Sequence, residues 1–227
     1  MAIDYFSIHH PFRRTASRIS YRVRNDIFGS FMKVMHPTSD ASILDIGVTP
    51  DEELPESNFF ETLYPYKNRI VAASIEDASF LEKKYPGLTF VQTAKNGLPF
   101  NDHSFDIAFC SAVLEHVGDR HQQRLFIREL LRVARSFFIT TPNRCFPMEI
   151  HTFLPLIHWL PQPVHQKLLK QLGLHFWAST QNLNLLTPSS LKALFPSEVH
   201  VHVSHVFLLG APSNLIAYGD SILRDKS

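Results

Sequence analysis

The chain has 227 residues, of which 44% are hydrophobic and 19% charged, and its formal net charge is +1. This composition predicts one globular domain over residues 1–227 and excludes the strong positive field of a nucleic-acid-binding surface. No run reaches the ~18 apolar residues of a membrane span and the first residues do not read as a signal peptide, so we expect a cytoplasmic protein. The two cysteines, Cys110 and Cys145, lack metal-ligand spacing and are expected to be reduced thiols.

A basic amphipathic helix is predicted over residues 13–36. Apolar residues recur there every four positions, and the same segment carries six arginines and lysines but only one acid, Asp26. One interpretation is a helix that packs on the domain and turns its basic face to solvent. The other is a lid or a contact with an anionic surface, which leaves a peripheral membrane contact open.

Strand-like and helix-like segments alternate from residue 43 to residue 140. Strands are predicted at residues 42–47, 69–75, 88–92, 106–110 and 136–140, and helices at residues 58–64, 77–85 and 122–134. This alternation predicts a parallel sheet with helices on both faces. After Pro142 the chain becomes aromatic and helix-like. Residues 199–203 and 206–209 are then expected to form two short strands of an antiparallel hairpin at the sheet edge.

Three motifs mark the chemistry of the chain. Residues 44–47 (LDIG) end the first predicted strand, where open α/β sheets bind their ligands. Residues 98–106 (LPFNDHSFD) lead into the fourth strand, and residues 114–117 (LEHV) follow it. Together with residues 128–140 (RELLRVARSFFIT), these motifs resemble, in order and spacing, the class I S-adenosylmethionine-dependent methyltransferases of the small-molecule, methyltransferase type 11 kind. The resemblance covers about residues 40–145, and residues 141–161 resemble a bacterial subgroup of these proteins.

The resemblance implies a fold and an activity. The fold is a Rossmann-like, doubly wound α/β sheet of seven strands, mostly parallel with an antiparallel C-terminal strand and helices on both faces. The activity is methyl transfer from S-adenosylmethionine to a small-molecule or a lipid- or sugar-linked acceptor. Within one domain we expect a cofactor-binding core at residues 40–145, a helical cap and substrate region at 146–197, and a C-terminal hairpin at 198–220. The oligomeric state is left open.

The implied cofactor pocket departs from the family pattern in three places. The glycine-rich turn after the first strand keeps only Gly47, although glycines there let the backbone approach a ligand. Ser74 stands where the family has a ribose-binding acid, with Glu76 just beyond it. Ala94 and Lys95 stand where it often has an adenine-binding aspartate. The expected cofactor contacts are Asp45, Gly47, Val48, Ser74, Glu76, Ala94, Lys95 and Ser111.

Two interpretations of this altered pocket stay open. The chain binds the same cofactor through the residues that remain, or it is a non-catalytic binding or partner module whose cofactor binding is weakened or lost. The intact segments 98–106 and 114–117 favour the first interpretation. The missing glycines and Ala94 favour the second.

The expected catalytic residues are His116, His151 and Glu149. Methyl transfer needs a positioned nucleophile and, for some acceptors, removal of its proton. His116 follows the fourth strand, and Glu149 and His151 follow the fifth, so each is placed to face the cleft as a general base. The alternatives are a helix-capping or cofactor-side role for His116 and an ordinary helix start for the other two residues.

No metal site and no nucleic-acid partner are predicted. His200 and His202 share one face of a strand while His205 does not, and a solvated strand face explains this spacing without a metal. Residues 142–144 (PNR) do not match the motif with which methyltransferases act on nucleic-acid amines. The expected partner is therefore a small-molecule acceptor.

Overall fold

The structure, a computed structural model, describes residues 13–54, 56–94 and 97–221, with the backbone alone for residues 13–18. These residues contain seven strands: β1 (Ile43–Ile46), β2 (Ile70–Ser74), β3 (Thr89–Gln92), β4 (Phe105–Ser111), β5 (Ala134–Pro142), β6 (His202–Leu208) and β7 (Ala211–Asp220). They form one sheet in the order β3-β2-β1-β4-β5-β7-β6. The first five strands are parallel, and β7 runs antiparallel to β5 and β6. The predicted fold class is confirmed.

Six α-helices flank the sheet in the described ranges: α1 (Arg13–Met35), α2 (Phe59–Leu63), α3 (Phe80–Lys84), α4 (Arg120–Val133), α5 (Gln162–Gln171) and α6 (Pro188–Lys192). Helix α4 begins before the predicted residue 122 because Asp119 caps it. The Asp119 carboxylate accepts the N–H groups of His121 and Gln122 at 2.9 and 3.0 Å, and the Gln122 side chain accepts the Asp119 N–H. No described helix has the length and apolarity needed to cross a membrane.

Helix α1 packs on one face of the sheet through Phe31. The Phe31 ring is fully buried and meets the rings of Phe60, Phe109 and Phe138 edge-on, with centroids 5.2, 5.4 and 5.4 Å apart. These partners belong to α2, β4 and β5, so one side chain joins three elements. This contact supports the interpretation of α1 as a helix packed on the domain. Helices α4 and α6 cover the opposite face through Leu130 and Leu191.

The turn predicted for the C-terminal hairpin is wrong, although the hairpin lies within residues 198–220 as expected. Strand β6 is continuous through the predicted turn, and the chain reverses at Leu209 and Gly210 instead. Both residues have positive φ, 51° and 80°, and Leu208 pairs with Ala211, which is the geometry of a two-residue type I′ turn. Gly210 is the residue type expected at this turn. The turn was predicted at Ser204 and His205 instead, because these polar residues interrupt an apolar run.

We expect Phe31→Ala to lower the free energy of unfolding by ~3–5 kcal/mol, because it opens a cavity where α1, α2 and the sheet meet. Urea denaturation followed by circular dichroism measures this loss. Phe207→Ala is the matched control, since the Phe207 side chain is 60% exposed. Equal losses in the two variants would contradict the role given to α1.

Candidate active site at the carboxyl ends of β1, β4 and β5

The strand order reverses between β1 and β4, and in such sheets ligands bind at the carboxyl ends of these strands. Gly47 lies directly after β1, is exposed, and has a φ of 98°, a value that favours glycine. A Cβ atom on residue 47 would lie 2.1 Å from Cγ2 of Val113, in the segment that follows β4. Glycine is therefore required here both by backbone conformation and by the close approach of Val113.

Side-chain hydrogen bonds, rather than glycines, shape the loop after Gly47. The side chain of Asn58 accepts the N–H of Thr49 and donates to the Thr49 carbonyl, each at 2.9 Å. The Asp51 carboxylate accepts the N–H of Glu53 at 2.9 Å and the hydroxyl of Ser57 at 2.8 Å. The side chain of Val48, a predicted cofactor contact, is only 5% exposed and packs in the core beneath α1. The residue as a whole therefore offers a ligand little surface.

Asp45 and Glu61 bring two buried carboxyls together beside this loop. Asp45 is 6% exposed on β1, and Glu61 is fully buried on α2. Burial, together with the neighbouring Glu61 carboxyl, raises the pKa of Asp45 well above its ordinary value. Burial also raises the pKa of Glu61. The pair therefore tends to keep a proton, and a cation arriving beside it would favour its charged form.

The remaining predicted cofactor residues lie around the same edge. Ser74 ends β2 and accepts the N–H of Glu76 at 3.3 Å, and Glu76 is half-buried just beyond it. The other acid there, Asp77, accepts the N–H of Ser79 at 2.9 Å and holds the turn into α3. Ala94 is exposed after β3, and Lys95 lies outside the described residues. Ser111 ends β4, where its hydroxyl bonds to that of Thr140 on β5 at 2.9 Å.

The predicted catalytic residues meet in one cluster. His116 ends a short 3₁₀ helix, Leu114–His116, and lies three residues beyond Val113. The rings of His116 and His151 meet edge-on with centroids 4.9 Å apart. His116 donates from Nδ1 to the Asn182 carbonyl at 2.7 Å, and Nδ1 of His151 lies 2.6 Å from a Glu149 carboxylate oxygen. In both rings Nδ1 is thus taken by a structural hydrogen bond.

Glu149 fixes His151 and does not start a helix. Its carboxylate accepts the backbone N–H and Nδ1–H of His151 on one oxygen, and the N–H and hydroxyl of Thr152 on the other, all within 2.9 Å. Burial alone would raise the pKa of Glu149, but the charge of His151 and these hydrogen bonds lower it to about 2. Burial would lower the pKa of His151, but Glu149 raises it. Glu149 is therefore a positioning residue.

Sequence reasoning missed Glu115, Asn182 and Trp177. Glu115 is fully buried, and its carboxylate accepts the Thr141 hydroxyl at 2.9 Å. The Trp177 ring lies 5.0 Å from that of His151, between centroids. Glu115 could have been found because it adjoins His116 in the LEHV motif. Asn182 and Trp177 lie in an irregular stretch, where the sequence carries no periodic signal.

A polar cavity of about 420 Å³ has Trp177 as part of its wall. Its walls include Arg120, Arg144 and three histidines, against a single acid, Asp119, whose carboxylate is used to cap α4. Burial and the neighbouring charges of Arg144 and Arg124 lower the pKa of Arg120. An anionic group would relieve this repulsion. The segment beside the cavity exposes several large apolar side chains, namely Met148, Phe153, Leu156, Trp159, Leu160 and Val164.

Comparison with known proteins identifies the architecture. Residues 57–137 match a methyltransferase domain family. The S-adenosylmethionine-dependent methyltransferase of Mesorhizobium loti superposes with a TM-score of 0.58 at 14% identity, over 87% of this chain and 99% of that one. The N-methyltransferase NodS of Bradyrhizobium japonicum was solved with S-adenosyl-L-homocysteine. It superposes with a TM-score of 0.55 at 13% identity, over 94% of this chain and 93% of NodS.

Another similar structure is that of the CurJ carbon methyltransferase, with a TM-score of 0.55 at 14% identity. The match covers 89% of this chain but spans only 54% of that one. No curated protein sequence matches the chain. At these identities the structural likeness establishes the fold.

We expect Glu61→Gln to stabilise the protein at neutral pH and much less at acid pH. A carboxyl whose pKa is raised by folding stabilises the folded state below its unfolded pKa of about 4, and this contribution is lost as the pH rises. The variant should therefore have a higher Tm than the wild type at pH 8, by roughly 2–4 °C per kcal/mol gained, with a smaller difference at pH 5. Glu53→Gln, at an exposed site, serves as control. A lower Tm for Glu61→Gln at pH 8 would show that the charged pair stabilises the fold.

Proposed function

We propose that this chain, a class I methyltransferase by fold and by its domain match, moves the methyl group of S-adenosylmethionine to a small-molecule or lipid-linked acceptor bound beside His116 and His151. The observation that carries the proposal is the contact of Val113 with Gly47. His116 lies three residues beyond Val113, so this contact supports a position for the His116–His151 cluster near the strand ends where ligands bind in this fold. Residues 57–137 match a methyltransferase domain, and NodS, a similar structure, was solved with S-adenosyl-L-homocysteine, the demethylated product of this cofactor.

The crevice residues suit this cofactor chemically. Gly47 leaves exposed backbone at the tip of β1, and Glu76 offers a half-buried carboxylate for ribose hydroxyls. The buried Asp45–Glu61 pair suits the ammonium group of the methionine part. When bound, S-adenosylmethionine supplies a methyl group already activated by its positive sulfur. The chain needs only to hold the acceptor's nucleophilic atom in line with that methyl and to take up its proton where it has one.

The cluster can orient such an acceptor. Because Asn182 and Glu149 engage Nδ1 of the two histidines, Nε2 is the ring nitrogen that each could offer to an acceptor. These edges and the Glu115 carboxylate are polar groups in a buried setting, where a hydrogen bond to an acceptor O–H or N–H is strengthened by the low local dielectric. His116 and His151 are the residues proposed to contact the acceptor.

The cavity beside Trp177 supports an acceptor with a negative charge. Arg120 and Arg144 offer guanidinium groups to a phosphate or carboxylate. The exposed apolar side chains of residues 148–164 suit an attached hydrocarbon chain. A phosphorylated acceptor with an apolar portion fits both features better than a neutral sugar does.

A non-catalytic module is the second candidate. The observation in its favour is the loop after Gly47, which Asn58 and Asp51 hold in place without the glycines of the family. Such a loop would bind the cofactor weakly if it could not move.

Binding of S-adenosylhomocysteine separates the two candidates. In calorimetric titrations we expect the wild type to bind it, and Glu76→Gln to bind it roughly 10–100-fold more weakly, because a hydrogen bond to a charged group is worth about 1.5–3 kcal/mol. Asp77→Asn removes the same charge one residue away and keeps an oxygen for the Ser79 N–H, so its affinity should match the wild type. Absence of binding to the wild type would establish the non-catalytic module.

Methyl transfer itself is tested with a radiolabelled methyl group. The wild type is incubated with labelled S-adenosylmethionine and one candidate acceptor at a time. The candidates are isoprenyl phosphates, sugar phosphates and the dephosphorylated form of each. We expect label in a phosphorylated acceptor and little in its dephosphorylated form, with Arg120→Gln reducing the difference because it removes one cationic contact. Equal labelling of both forms would contradict an anionic acceptor.

A further inference from the structure

The cluster at the ends of β4 and β5 carries a second kind of chemistry. One ligand atom each from Glu115, His116 and His151 lies within 4.8 Å of the other two, and Nε2 of His116 is 3.9 Å from a Glu115 carboxylate oxygen. Ligands held ~2.0–2.2 Å from a zinc ion lie roughly 3.3–3.6 Å apart. Small side-chain rotations would therefore bring these atoms to the spacing of a metal site.

The hydrogen bonds around the cluster engage one nitrogen of each histidine. Metal-binding histidines usually donate their other ring N–H to a carbonyl or a carboxylate. His116 donates from Nδ1 to the Asn182 carbonyl and His151 from Nδ1 to the Glu149 carboxylate, so Nε2 is the ring nitrogen that each histidine could offer to a metal. Glu149 sits outside the donor set and acts through His151.

The Glu115 carboxylate supplies an independent indication of a ligand. The side chain is fully buried, and its Oε2 accepts the Thr141 hydroxyl at 2.9 Å. Its other oxygen, Oε1, has no hydrogen-bond partner among the described residues and lies 3.9 Å from Nε2 of His116. A buried carboxylate oxygen without a partner destabilises the fold, and a cation would offset that cost.

We propose that Glu115, His116 and His151 bind a divalent transition-metal ion. Two imidazoles and one carboxylate form a donor set suited to Zn²⁺, Fe²⁺, Mn²⁺ or Co²⁺, while the nitrogen ligands disfavour Mg²⁺ and Ca²⁺. Three protein ligands leave coordination positions for water or for an oxygen of the acceptor. The site extends the proposed function, since the ion would take over the contact with the acceptor that the two Nε2 atoms otherwise make.

No metal site was predicted from the sequence, where histidines were compared by their spacing along a strand. The three proposed ligands instead follow two different strands, and one of them, Glu115, is not a histidine. His200 and His202, whose rings lie 4.5 Å apart on the surface, provide an internal comparison.

Titration of metal-free, tag-free protein with Zn²⁺ in a calorimeter tests the proposal without cofactor or acceptor. We expect one ion per chain, and a matching Co²⁺ titration should give the intense visible absorption of a low-coordinate site. Glu115→Gln keeps the bond to Thr141 and should weaken Zn²⁺ binding at least about 100-fold. Glu149→Gln, which loosens His151, should weaken it about 10–100-fold, as expected for an outer-shell partner.

The double variant His200→Ala/His202→Ala is the control and should bind Zn²⁺ like the wild type. Circular dichroism and the Tm without metal verify that each variant folds. If His116→Ala or His151→Ala does not fold, the isosteric Glu115→Gln decides the question. Absence of stoichiometric binding, equal affinity in Glu115→Gln, or loss of binding only in the His200/His202 variant would overturn the metal site. None of these results bears on S-adenosylhomocysteine binding, so the two proposals fail separately.

Discussion

The close approach of Val113 to Gly47 governs the arrangement of the site. The two residues follow neighbouring parallel strands, β1 and β4, and their separation is too small for any side chain at position 47. Because β4 ends against the first strand in this way, the short helix Leu114–His116 is held at the ligand-binding edge of the sheet. Gly47 and the histidine cluster thereby lie at the same edge of the sheet.

Buried hydrogen bonds determine which polar atoms of Glu115, His116 and His151 are left for a ligand. Glu149 uses both carboxylate oxygens on His151 and Thr152, Asn182 engages His116 and Thr141 engages Glu115. Each bond removes one polar atom from the cluster and so selects the atoms that face a ligand. Such networks are strong in a low-dielectric interior and hold their members in single orientations. Trp177 contacts His151 in this network and also forms part of the wall of the arginine-lined cavity.

Several parts of this account were predictable from the sequence. Buried strands such as β2 and β5 are short apolar runs, and their alternation with helices was sufficient for the fold class. The motifs at residues 44–47 and 114–117 predicted a ligand site at the carboxyl ends of β1 and β4. The turn at Gly210 was missed because the polar Ser204 and His205, which interrupt the apolar run before it, favoured a turn at their own position. Pattern reasoning also could not show that Val48 turns its side chain into the core, since that depends on the bonds between Asn58 and Thr49.

The least predictable features depend on segments far apart in the chain. Asn182 reaches His116 across 66 positions, and Thr141 reaches Glu115 across 26. No local pattern encodes such contacts, because they arise only when the ends of β4 and β5 meet the irregular stretch before α6. The same holds for the Asp45–Glu61 pair, which joins a strand to the helix that follows it.

A crystal structure of the protein grown with S-adenosylhomocysteine tests the central claim most directly. If the catalytic centre lies at this edge of the sheet, the nucleoside product will lie against Gly47 and Glu76, with its sulfur on the side of the crevice that faces His116 and His151. Product bound elsewhere, or a crevice that the loop of residues 48–58 keeps closed, would contradict a catalytic centre at this edge. Neither result would change the description of the fold.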